Sequence, residues 1–337
     1  MIMGIDVGGA NTKAVTSDGY FVTSIHAPLW KNRAILYDVL YGIKKKMDET
    51  ETASVGAVMT GEICGCFETK GEGVSYIKKA VCKTFNDVKF LDNRCLFKNS
   101  SDVDRDPVSF ASTNWIASTM CIAEEYKDVI FVDIGSTTTD VIPIKDGKIK
   151  AARSDFERLK SGELIYSGVL RTNVSCLLDR INMNGNEFKT SSEHFATTAD
   201  AYLTIGCIKK EDFGCESLNH YCYPFTGEKV KNRTGAMRRL ARVLCSDLEE
   251  IGEGDVVYTA EQVKKAQVNA LITSLERMSG EYGLKNVVSV GIGDFIAKES
   301  SETLDLDFLS LSHVYGKGIS AVFPAYAVAK LLERERD

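Results

Sequence analysis

The sequence predicts a two-lobed α/β protein, because apolar strands alternate with amphipathic helices and one strand–turn–strand pattern occurs twice. The aspartates of the two copies, Asp6 and Asp133, lie about one domain length apart. A chain of 337 residues also exceeds the size at which a single hydrophobic core stops growing. We therefore expect a lobe over residues 1–126, a second over residues 127–337 that includes a helical substrate-binding insertion at about 155–247, and a cleft between them.

Each element predicted in the first lobe follows from a local pattern. The apolar run Met1–Val7 predicts a buried strand, and Gly8 and Gly9 stop it in a turn before a second β-rich stretch at Ala14–Ser17. Longer segments with apolar residues every three or four positions predict helices, and short continuous apolar runs predict buried strands. The other elements predicted here are helices at Arg33–Met47, Gly73–Phe85 and Val108–Glu125 and strands at Ser54–Thr60 and Val88–Leu91.

The opening pattern returns at Val129, where an apolar strand, a small polar turn and a second strand end in a hairpin at Asp146-Gly147. An amphipathic helix is predicted at Tyr258–Tyr282, followed by a third apolar strand at Asn286–Val290. The last predictions are a strand around Ser320–Phe323 and a helix at Ala325–Arg334. Because the two strand–turn–strand segments align without gaps, we interpret them as an internal duplication, with one copy in each lobe.

The composition excludes several classes of protein. A formal net charge of -6 argues against nucleic acid as a partner, since that requires clustered cations. No run of about 18 apolar residues predicts a membrane helix, and the first residues lack the pattern of a secretion signal. We therefore expect a cytoplasmic protein, not bound to a membrane, whose ten cysteines form no disulfide framework. The oligomeric state stays open, with a homodimer as one option.

A zinc or iron–sulfur site is not expected, because the cysteines lack two matched thiolate pairs. The closest groupings are Cys64 with Cys66, and the trio Cys207, Cys215 and Cys222 near His220.

Both turns have the composition of a phosphate-binding loop. Backbone N–H groups at Gly8, Gly9 and Gly135 carry no shielding side chain and can surround phosphate oxygens. Lys13 follows the first turn and either reaches a phosphate as a point charge or lies on the outer side of its strand. Hydroxyl and amide donors are supplied by Asn11, Thr12, Ser136, Thr137 and Thr138. Two such turns are expected to bind both ends of a polyphosphate.

One carboxylate precedes each turn, Asp6 in the first copy and Asp133 in the second. A phosphate-bound Mg²⁺ needs oxygen ligands, usually one or two carboxylates and waters, so this pair predicts a magnesium site. The alternative is that either side chain only caps its turn. The occurrence of two matched copies favours the metal interpretation.

Three segments in the same order resemble the motifs of the actin/hexokinase/Hsp70 superfamily. Gly4–Lys13 is similar to its first phosphate motif, Val132–Asp140 to its second, and Val288–Asp294 to the motif that lies against the base of a nucleotide. The resemblance spans nearly the whole chain and implies a duplicated, ribonuclease H-like α/β fold with an interlobe cleft. It also implies that the third segment contacts a nucleotide or the substrate through Gly291, Gly293 and Asp294.

The second turn narrows the resemblance. Its sequence, Asp133-Ile-Gly-Ser-Thr-Thr-Thr-Asp-Val, is similar to the threonine-rich turn of the hydantoinase/oxoprolinase branch. Phe195–Tyr202 and Arg238–Val243 resemble a small archaeal subfamily of that branch, the methanofuran-biosynthesis synthases. This resemblance implies a Mg²⁺-assisted transferase that couples an (aminomethyl)furanyl-methyl diphosphate to the phenol oxygen of γ-glutamyltyramine and releases diphosphate.

Two other functions stay open at this point. An ATP-dependent small-molecule kinase or an oxoprolinase-like ATP hydrolase would bind ATP in the same turns, although Gly9-Ala10-Asn11 replaces the kinase pattern Gly-Gly-Thr. A nucleotide-responsive sensor or activator is the non-enzymatic alternative. It is less favoured, because activators of this fold usually carry a metal cluster and no Cys-x-x-Cys signature is present.

A base would assist the attack of a phenol, whose pKa is about 10. Asp140 and Asp200 are the candidates, the alternatives being a surface carboxylate at a strand end for Asp140 and a helix cap for Asp200. Glu62, which follows a buried strand, is a further candidate carboxylate. The arginines considered for binding the γ-glutamyl carboxylates are Arg171, Arg233 and Arg238.

Overall fold

The computed structural model describes residues 1–47, 54–212 and 232–336, which form two compact units. The first unit comprises Met1–Phe131, Ile142–Ser161 and Leu311–Asp337, and the second comprises Val132–Val141 and Gly162–Ser310. The C-terminal residues therefore belong to the first unit, whereas the sequence-based division assigned them to the second lobe.

The first unit contains a six-stranded sheet with the order β3-β2-β1-β4-β5-β6. Its strands are β1 (Ile2–Val7), β2 (Asn11–Thr16), β3 (Val22–His26), β4 (Ser54–Met59), β5 (Val88–Leu91) and β6 (Phe97–Lys98). The first three strands are antiparallel neighbours, and β4 and β5 continue the sheet in parallel from β1. Every residue of β1 and β4 is buried, so these strands form the centre of the core.

A second sheet has the order β10-β8-β7-β13-β14, and β9 also pairs with β8. Its strands are β7 (Val129–Ile134), β8 (Thr139–Lys145), β9 (Lys148–Ile149), β10 (Leu164–Ile165), β13 (Asn286–Gly291) and β14 (Asp307–Ser310), while β11 (Arg180–Met183) and β12 (Asn186–Lys189) form a separate hairpin. Since β9 and β10 pair with opposite ends of β8, they act as one interrupted third strand. The strand order of the first sheet is thus repeated, which confirms the predicted duplicated α/β fold.

Helices connect these strands, and most present an apolar stripe to a sheet or to another helix. In the described part of the chain they are α1 (Ile35–Met47), α2 (Lys70–Thr84), α3 (Ser100–Arg105), α4 (Asn114–Glu125), α5 (Asp155–Ser161), α6 (Val174–Leu177), α7 (Thr198–Thr204), α8 (Arg233–Val243), α9 (Leu248–Tyr282), α10 (Asp294–Thr303), α11 (Ser312–Ala321) and α12 (Phe323–Arg336). Short 3₁₀ turns occur at Gly61–Ile63, Pro107–Phe110 and Lys210–Asp212.

The C-terminal helix α12 packs on the centre of the first sheet. A Cβ at Gly4 of β1 would lie 1.8 Å from the Ala325 carbonyl oxygen, and one at Gly56 of β4 would lie 3.0 Å from the Val328 carbonyl oxygen. Glycine at both positions lets the helix backbone approach the strands closely. This packing holds β1, the strand that carries Asp6, in place.

The elements predicted from the sequence differ from the structure in several places. The helix predicted from Val108 begins only at Asn114, because Ser112 has a left-handed φ of 53° that interrupts it. The strand predicted around residues 320–323 is instead the junction of α11 and α12, and strand β14 was not predicted. Short apolar runs do not distinguish strands from buried helix ends, which explains the last two errors.

The second unit has its own core beneath the β11–β12 hairpin. Buried residues of α8 and α9, among them Met237, Leu240 and Val256, pack there with Ile181. Cys215, Cys222 and His220 lie outside the described residues. Among the described cysteines no disulfide occurs. In the ranges that the structure covers, no helix combines the length and the apolar character needed to cross a membrane.

Candidate functional site

The first turn joins β1 to β2 and is closed by a hydrogen bond from the Gly8 N–H to the Asn11 carbonyl oxygen at 3.0 Å. The Gly9 carbonyl oxygen accepts a hydrogen bond from the Leu29 N–H at 2.9 Å. Because the carbonyl and N–H of a trans peptide point in opposite directions, the next N–H, that of Ala10, is directed away from Leu29. The turn therefore directs the Ala10 N–H away from Leu29, whereas the Gly8 N–H, predicted to bind phosphate, is used in the hydrogen bond that closes the turn.

Asp6 lies on β1 directly opposite Lys13 of β2, with Lys13 Nζ 3.9 Å from Asp6 Oδ2. Residues opposite one another in an antiparallel pair point to the same face of the sheet, so Lys13 shares the face of Asp6. Asp6 is buried, and its Oδ1 has no hydrogen-bond partner among the residues that the structure describes. Burial raises the pKa of Asp6, and the charge of Lys13 partly opposes this shift. A bound cation would stabilise such a carboxylate.

The second turn joins β7 to β8 and repeats the first, with a hydrogen bond from the Gly135 N–H to the Thr138 carbonyl oxygen at 2.9 Å. The Ser136 carbonyl oxygen accepts hydrogen bonds from two backbone N–H groups, those of Leu170 at 3.0 Å and Arg171 at 3.1 Å. The N–H of the following residue, Thr137, therefore points away from this loop. The second turn thus directs one backbone donor, the Thr137 N–H, away from the loop, while the Gly135 N–H closes the turn.

Gly168 packs directly against the backbone of the second turn. A Cβ at this position would lie 2.5 Å from the Thr137 nitrogen, so only glycine permits the observed contact. The Gly168 carbonyl oxygen accepts hydrogen bonds from Thr198 Oγ1 at 2.8 Å and Gln267 Nε2 at 3.1 Å. The side chain of Gln267 also contacts Tyr202 and Ser167, which ties α7 and α9 to the loop that holds the turn. Sequence reasoning missed this support, since no local pattern joins residues so far apart in the chain.

The predicted side-chain donors of the two turns differ in exposure. Thr12 is fully buried and its Oγ1 has no hydrogen-bond partner in the described part of the chain, while Asn11 is partly exposed. Ser136, Thr137 and Thr138 are all partly exposed, with the first two hydroxyl oxygens 3.4 Å apart. The second turn therefore offers hydroxyl donors, whereas the first relies more on its backbone and on Lys13.

The Gly291–Asp294 segment contacts the second turn through its backbone. The Gly293 N–H donates to the Ile134 carbonyl oxygen at 3.1 Å, and Gly291 has a left-handed φ of 94°. A Cβ at Gly291 would lie 2.4 Å from the same oxygen and 2.9 Å from Asp133 Oδ1. Asp294 begins α10 and accepts hydrogen bonds from Ser289 Oγ at 2.7 Å and from Ser310 Oγ. The two glycines thus shape the surroundings of Asp133, while Asp294 fixes the ends of β13 and β14.

Glu62, in the 3₁₀ turn after β4, is buried beside the first turn of the same unit. The preceding residue Thr60 donates its N–H to the Val7 carbonyl oxygen at 3.0 Å, and a Cβ at Gly61 would lie 3.1 Å from the carbonyl oxygens of Val7 and Gly8. Glu62 Oε1 accepts a hydrogen bond from Ser112 Oγ at 2.9 Å. Burial raises the pKa of Glu62 to about 7. The sequence placed Glu62 among further candidates, but it could not indicate this burial.

The two aspartates considered as bases have different surroundings. Asp140 is buried on β8, where it pairs with Leu164 of β10, and it occupies the position in the second copy that Lys13 occupies in the first. Asp200 Oδ1 accepts hydrogen bonds from Arg239 at 2.7 and 2.9 Å, and its Oδ2 accepts one from the Thr197 N–H at 3.0 Å in a capping box. These contacts favour the helix-cap interpretation of Asp200. A role of either residue as a base stays a prediction.

The three arginines considered for binding substrate carboxylates make different contacts. Arg238 pairs with Glu249 at 3.0 Å on the surface, and Arg233 donates to the Thr204 carbonyl oxygen at 2.8 Å. Arg171 is partly exposed, and its backbone is bonded to the second turn. Arg171 is therefore the arginine that the described contacts bring nearest to a predicted phosphate-binding residue.

The donor set fits a hard divalent cation. Within the first unit, Asp6 offers carboxylate oxygens, and its buried Oδ1, which has no hydrogen-bond partner among the described residues, is an acceptor that a cation would satisfy. Over residues 1–47, 54–212 and 232–336, no three or more histidine, cysteine or acidic side chains cluster as a metal site. Such a cation would therefore depend on few protein ligands, as Mg²⁺ bound with a phosphate group does.

The repeated sheet order and its two matched turns define the class: this is a duplicated α/β protein of the actin/hexokinase type. Residues 53–335 match the model of the Hydantoinase/oxoprolinase family. The chain belongs to the hydantoinase/oxoprolinase family.

The chain is also similar to individual proteins. A protein of Methanocaldococcus jannaschii called (4-{4-[2-(gamma-L-glutamylamino)ethyl]phenoxymethyl}furan-2-yl)methanamine synthase is 36% identical over 341 residues, covering 100% of this chain and 99% of that protein. A protein of Methanococcus vannielii with the same name is 35% identical over 213 residues, covering 62% of this chain and 92% of that protein. Among solved structures, a ROK family glucokinase from Streptomyces griseus has a TM-score of 0.48 and 10% identity, with 98% of each chain covered.

Proposed function

We propose that the protein is a transferase that forms the ether bond of (4-{4-[2-(γ-L-glutamylamino)ethyl]phenoxymethyl}furan-2-yl)methanamine. The observation that carries this proposal is the 36% identity with the Methanocaldococcus jannaschii synthase over the full length of both chains. The product named for that synthase contains a phenoxymethyl-furan ether, so a synthase must join a phenol oxygen to a furan-bound methylene. The acceptor is accordingly γ-glutamyltyramine, and both substrates are small molecules.

The donor that suits the two turns is the furan-methyl diphosphate. Two turns with outward backbone N–H groups and the hydroxyls of the second turn would donate hydrogen bonds to diphosphate oxygens as negative charge grows on the leaving group. Lys13 adds a positive charge on the face of Asp6. The furan ring stabilises the positive charge left on its methylene, and the phenol oxygen attacks there. Diphosphate departs with the electron pair of the broken C–O bond.

Mg²⁺ is the proposed cofactor, and Asp6 and Asp133 are the residues that would hold it. When bound, it would supply positive charge that neutralises the leaving diphosphate. The buried, unpartnered Asp6 Oδ1 supports a cation at this residue. Partial exposure of Asp133 supports access of a ligand to the second carboxylate.

Incubation of the purified protein with synthetic (aminomethyl)furanyl-methyl diphosphate, γ-glutamyltyramine and Mg²⁺ tests the proposal. Mass spectrometry should detect the ether, and diphosphate should appear in equal amount without any ATP. Omission of γ-glutamyltyramine and chelation of Mg²⁺ are the controls, and each should abolish ether formation. Turnover of ATP to ADP in place of ether formation would contradict the proposal in favour of the kinase or hydrolase alternative, which the two relatives do not favour.

A further inference from the structure

Glu62 differs from the acidic residue at the corresponding place beside the second turn. In each unit a short segment follows a strand and donates a backbone N–H to the residue before the turn, from Thr60 to Val7 in the first unit and from Gly293 to Ile134 in the second. The acid of the second segment, Asp294, has both carboxylate oxygens bonded to serine hydroxyls. The acid of the first segment, Glu62, does not.

Only one oxygen of Glu62 is satisfied within the described residues. Ser112 Oγ donates to Oε1, while Oε2 is buried and has no hydrogen-bond partner. The side chain is 1% exposed. A buried carboxyl oxygen without a donor costs free energy, so its retention calls for a ligand or a proton at that atom.

Ser112, which makes this contact, has an irregular backbone conformation. Ser112 adopts a left-handed φ of 53°, which breaks the helix that the sequence predicts from Val108. Gly73 of α2 packs against the Glu62 backbone so closely that a Cβ there would lie 2.3 Å from the Glu62 carbonyl oxygen. Close packing thus holds the Glu62 backbone in place, and the hydrogen bond from Ser112 fixes its Oε1.

We propose that Glu62 Oε2 accepts the phenolic proton of the acceptor substrate during ether formation. This inference rests on the proposed function. As the phenol oxygen forms its bond to the furan methylene, the O–H proton moves to the Glu62 carboxylate, and the C–O bond to diphosphate breaks with its electron pair leaving on diphosphate. The neutral Glu62 returns the proton to solvent after product release. Ser112 orients the carboxyl group through Oε1 and leaves Oε2 to the substrate.

The basicity of Glu62 suits this task. Burial and, to a smaller extent, the charge of Asp155 raise the pKa of Glu62, while the hydrogen bond from Ser112 and the charge of Lys70 lower it, and the resulting pKa is about 7. A carboxylate with a pKa near the working pH is a stronger base than an exposed one and is still ionised in a large fraction of molecules. Asp155 and Lys70 are the charged groups that act on it within the first unit.

The test compares Glu62→Gln with wild type in the ether-forming assay, using γ-glutamyltyramine and an analogue with two ring fluorines beside the phenol. Fluorine lowers the phenol pKa, so the analogue is already largely ionised and needs no base. With the parent acceptor we expect kcat/KM to fall roughly 10²–10⁴-fold and to lose its decline below pH 7. With the fluorinated acceptor we expect most of the loss to disappear.

Glu68→Gln is the matched control, since it makes the same substitution at an exposed residue of the same segment. Glu62→Asp keeps a carboxylate and should retain more activity than Glu62→Gln. Circular dichroism establishes that the variants are folded. Unchanged kinetics of Glu62→Gln, or equal losses with both acceptors, would overturn the role of Glu62 while leaving the proposed function in place. Failure of the wild type to form any ether would overturn the proposed function and this inference with it.

Discussion

The first and second turns are closed by the same backbone hydrogen bond, but the charges of their side chains differ. Each is closed by the N–H of its first residue and the carbonyl of its fourth, Gly8 with Asn11 at 3.0 Å and Gly135 with Thr138 at 2.9 Å. The first carries a buried aspartate opposite a lysine. In the second, the matching aspartate, Asp133, is partly exposed, and an acid takes the place of the lysine.

This difference indicates which features the duplication had to keep. Backbone hydrogen bonds determine the direction of the N–H groups, so both copies preserve them. The side chains of the two turns differ, so we expect the turns to have separate tasks. We expect the first turn to contribute a buried carboxylate and a fixed positive charge, and the second to contribute hydroxyl and backbone donors held by the Gly168 loop.

Among the changes that compare the two turns, the largest effect should come from removing either of the carboxylates that precede them. We expect Asp6→Asn and Asp133→Asn each to lower kcat of ether formation by roughly 10²–10³-fold, or about 3–4 kcal/mol, because charge stabilisation of the leaving group is lost. The Mg²⁺ concentration for half-maximal rate should rise in both. Steady-state assays over a Mg²⁺ series measure both quantities.

Asp146→Asn is the control for these variants, since Asp146 is exposed in a hairpin and asparagine tolerates its left-handed φ of 53°. It should leave rate and Mg²⁺ dependence unchanged. Full activity of Asp6→Asn and Asp133→Asn would contradict the idea that both turns serve one reaction.

The next prediction concerns Glu62, the acid beside the first turn, and is measured as the free energy of unfolding. Glu62 has a pKa of about 7 in the folded protein, above the ordinary 4.5. Between these values the unfolded chain loses the proton while the folded protein keeps it, so the free energy of unfolding falls as pH rises. The fall should be at most about 3 kcal/mol and should end above pH 7.

Glu62→Gln should remove this dependence of stability on pH. The stability of the variant relative to wild type should therefore be higher at pH 8 than at pH 4.5. Urea unfolding at several pH values measures it. Glu68→Gln should retain the wild-type slope. An unchanged slope in Glu62→Gln would mean that Glu62 is ionised in the folded protein over the whole range.

Gly168→Ala should act on the second turn alone. The added Cβ would lie 2.5 Å from the Thr137 nitrogen, and overpacking of this kind costs about 2 kcal/mol. Gly280→Ala in α9 is the matched control, because no atom lies within 4 Å of its Cβ position and alanine favours a helix. Denaturant unfolding should show a loss for the first and a gain below about 1 kcal/mol for the second. Equal stabilities would contradict the tight contact between the loop and the turn.

The sequence could predict the strands and turns because their signals are local. The buried strands β1, β4 and β5 were predicted within one residue at each end, since short apolar runs ended by Gly or Asp indicate strands reliably. The duplication was visible because two segments align without gaps. The class of protein was accessible for the same reason, as its motifs are short and lie in order along the chain.

Features that depend on distant contacts could not be predicted. The left-handed Ser112 donates a hydrogen bond to Glu62, fifty positions earlier in the chain, and no local pattern indicates either feature. The pairing of Asp200 with Arg239 and the fit of Gly168 beneath Thr137 are likewise tertiary. Burial of Glu62 follows from packing of α2 onto its backbone, so its raised pKa was also beyond the reach of the sequence.

The smallest effect separates the charge of the first turn from that of the second. Lys13 is about one quarter exposed, and its Nζ lies 3.9 Å from Asp6 Oδ2. Its loss should therefore weaken binding of the diphosphate donor by about 1 kcal/mol. We expect Lys13→Gln to raise KM for the diphosphate donor about 5- to 10-fold with little change in kcat, since a point charge binds ground state and transition state alike. Loss of the lysine also removes the influence that lowers the pKa of Asp6. A fall in kcat without a change in KM would instead indicate that Lys13 acts on the leaving diphosphate only in the transition state.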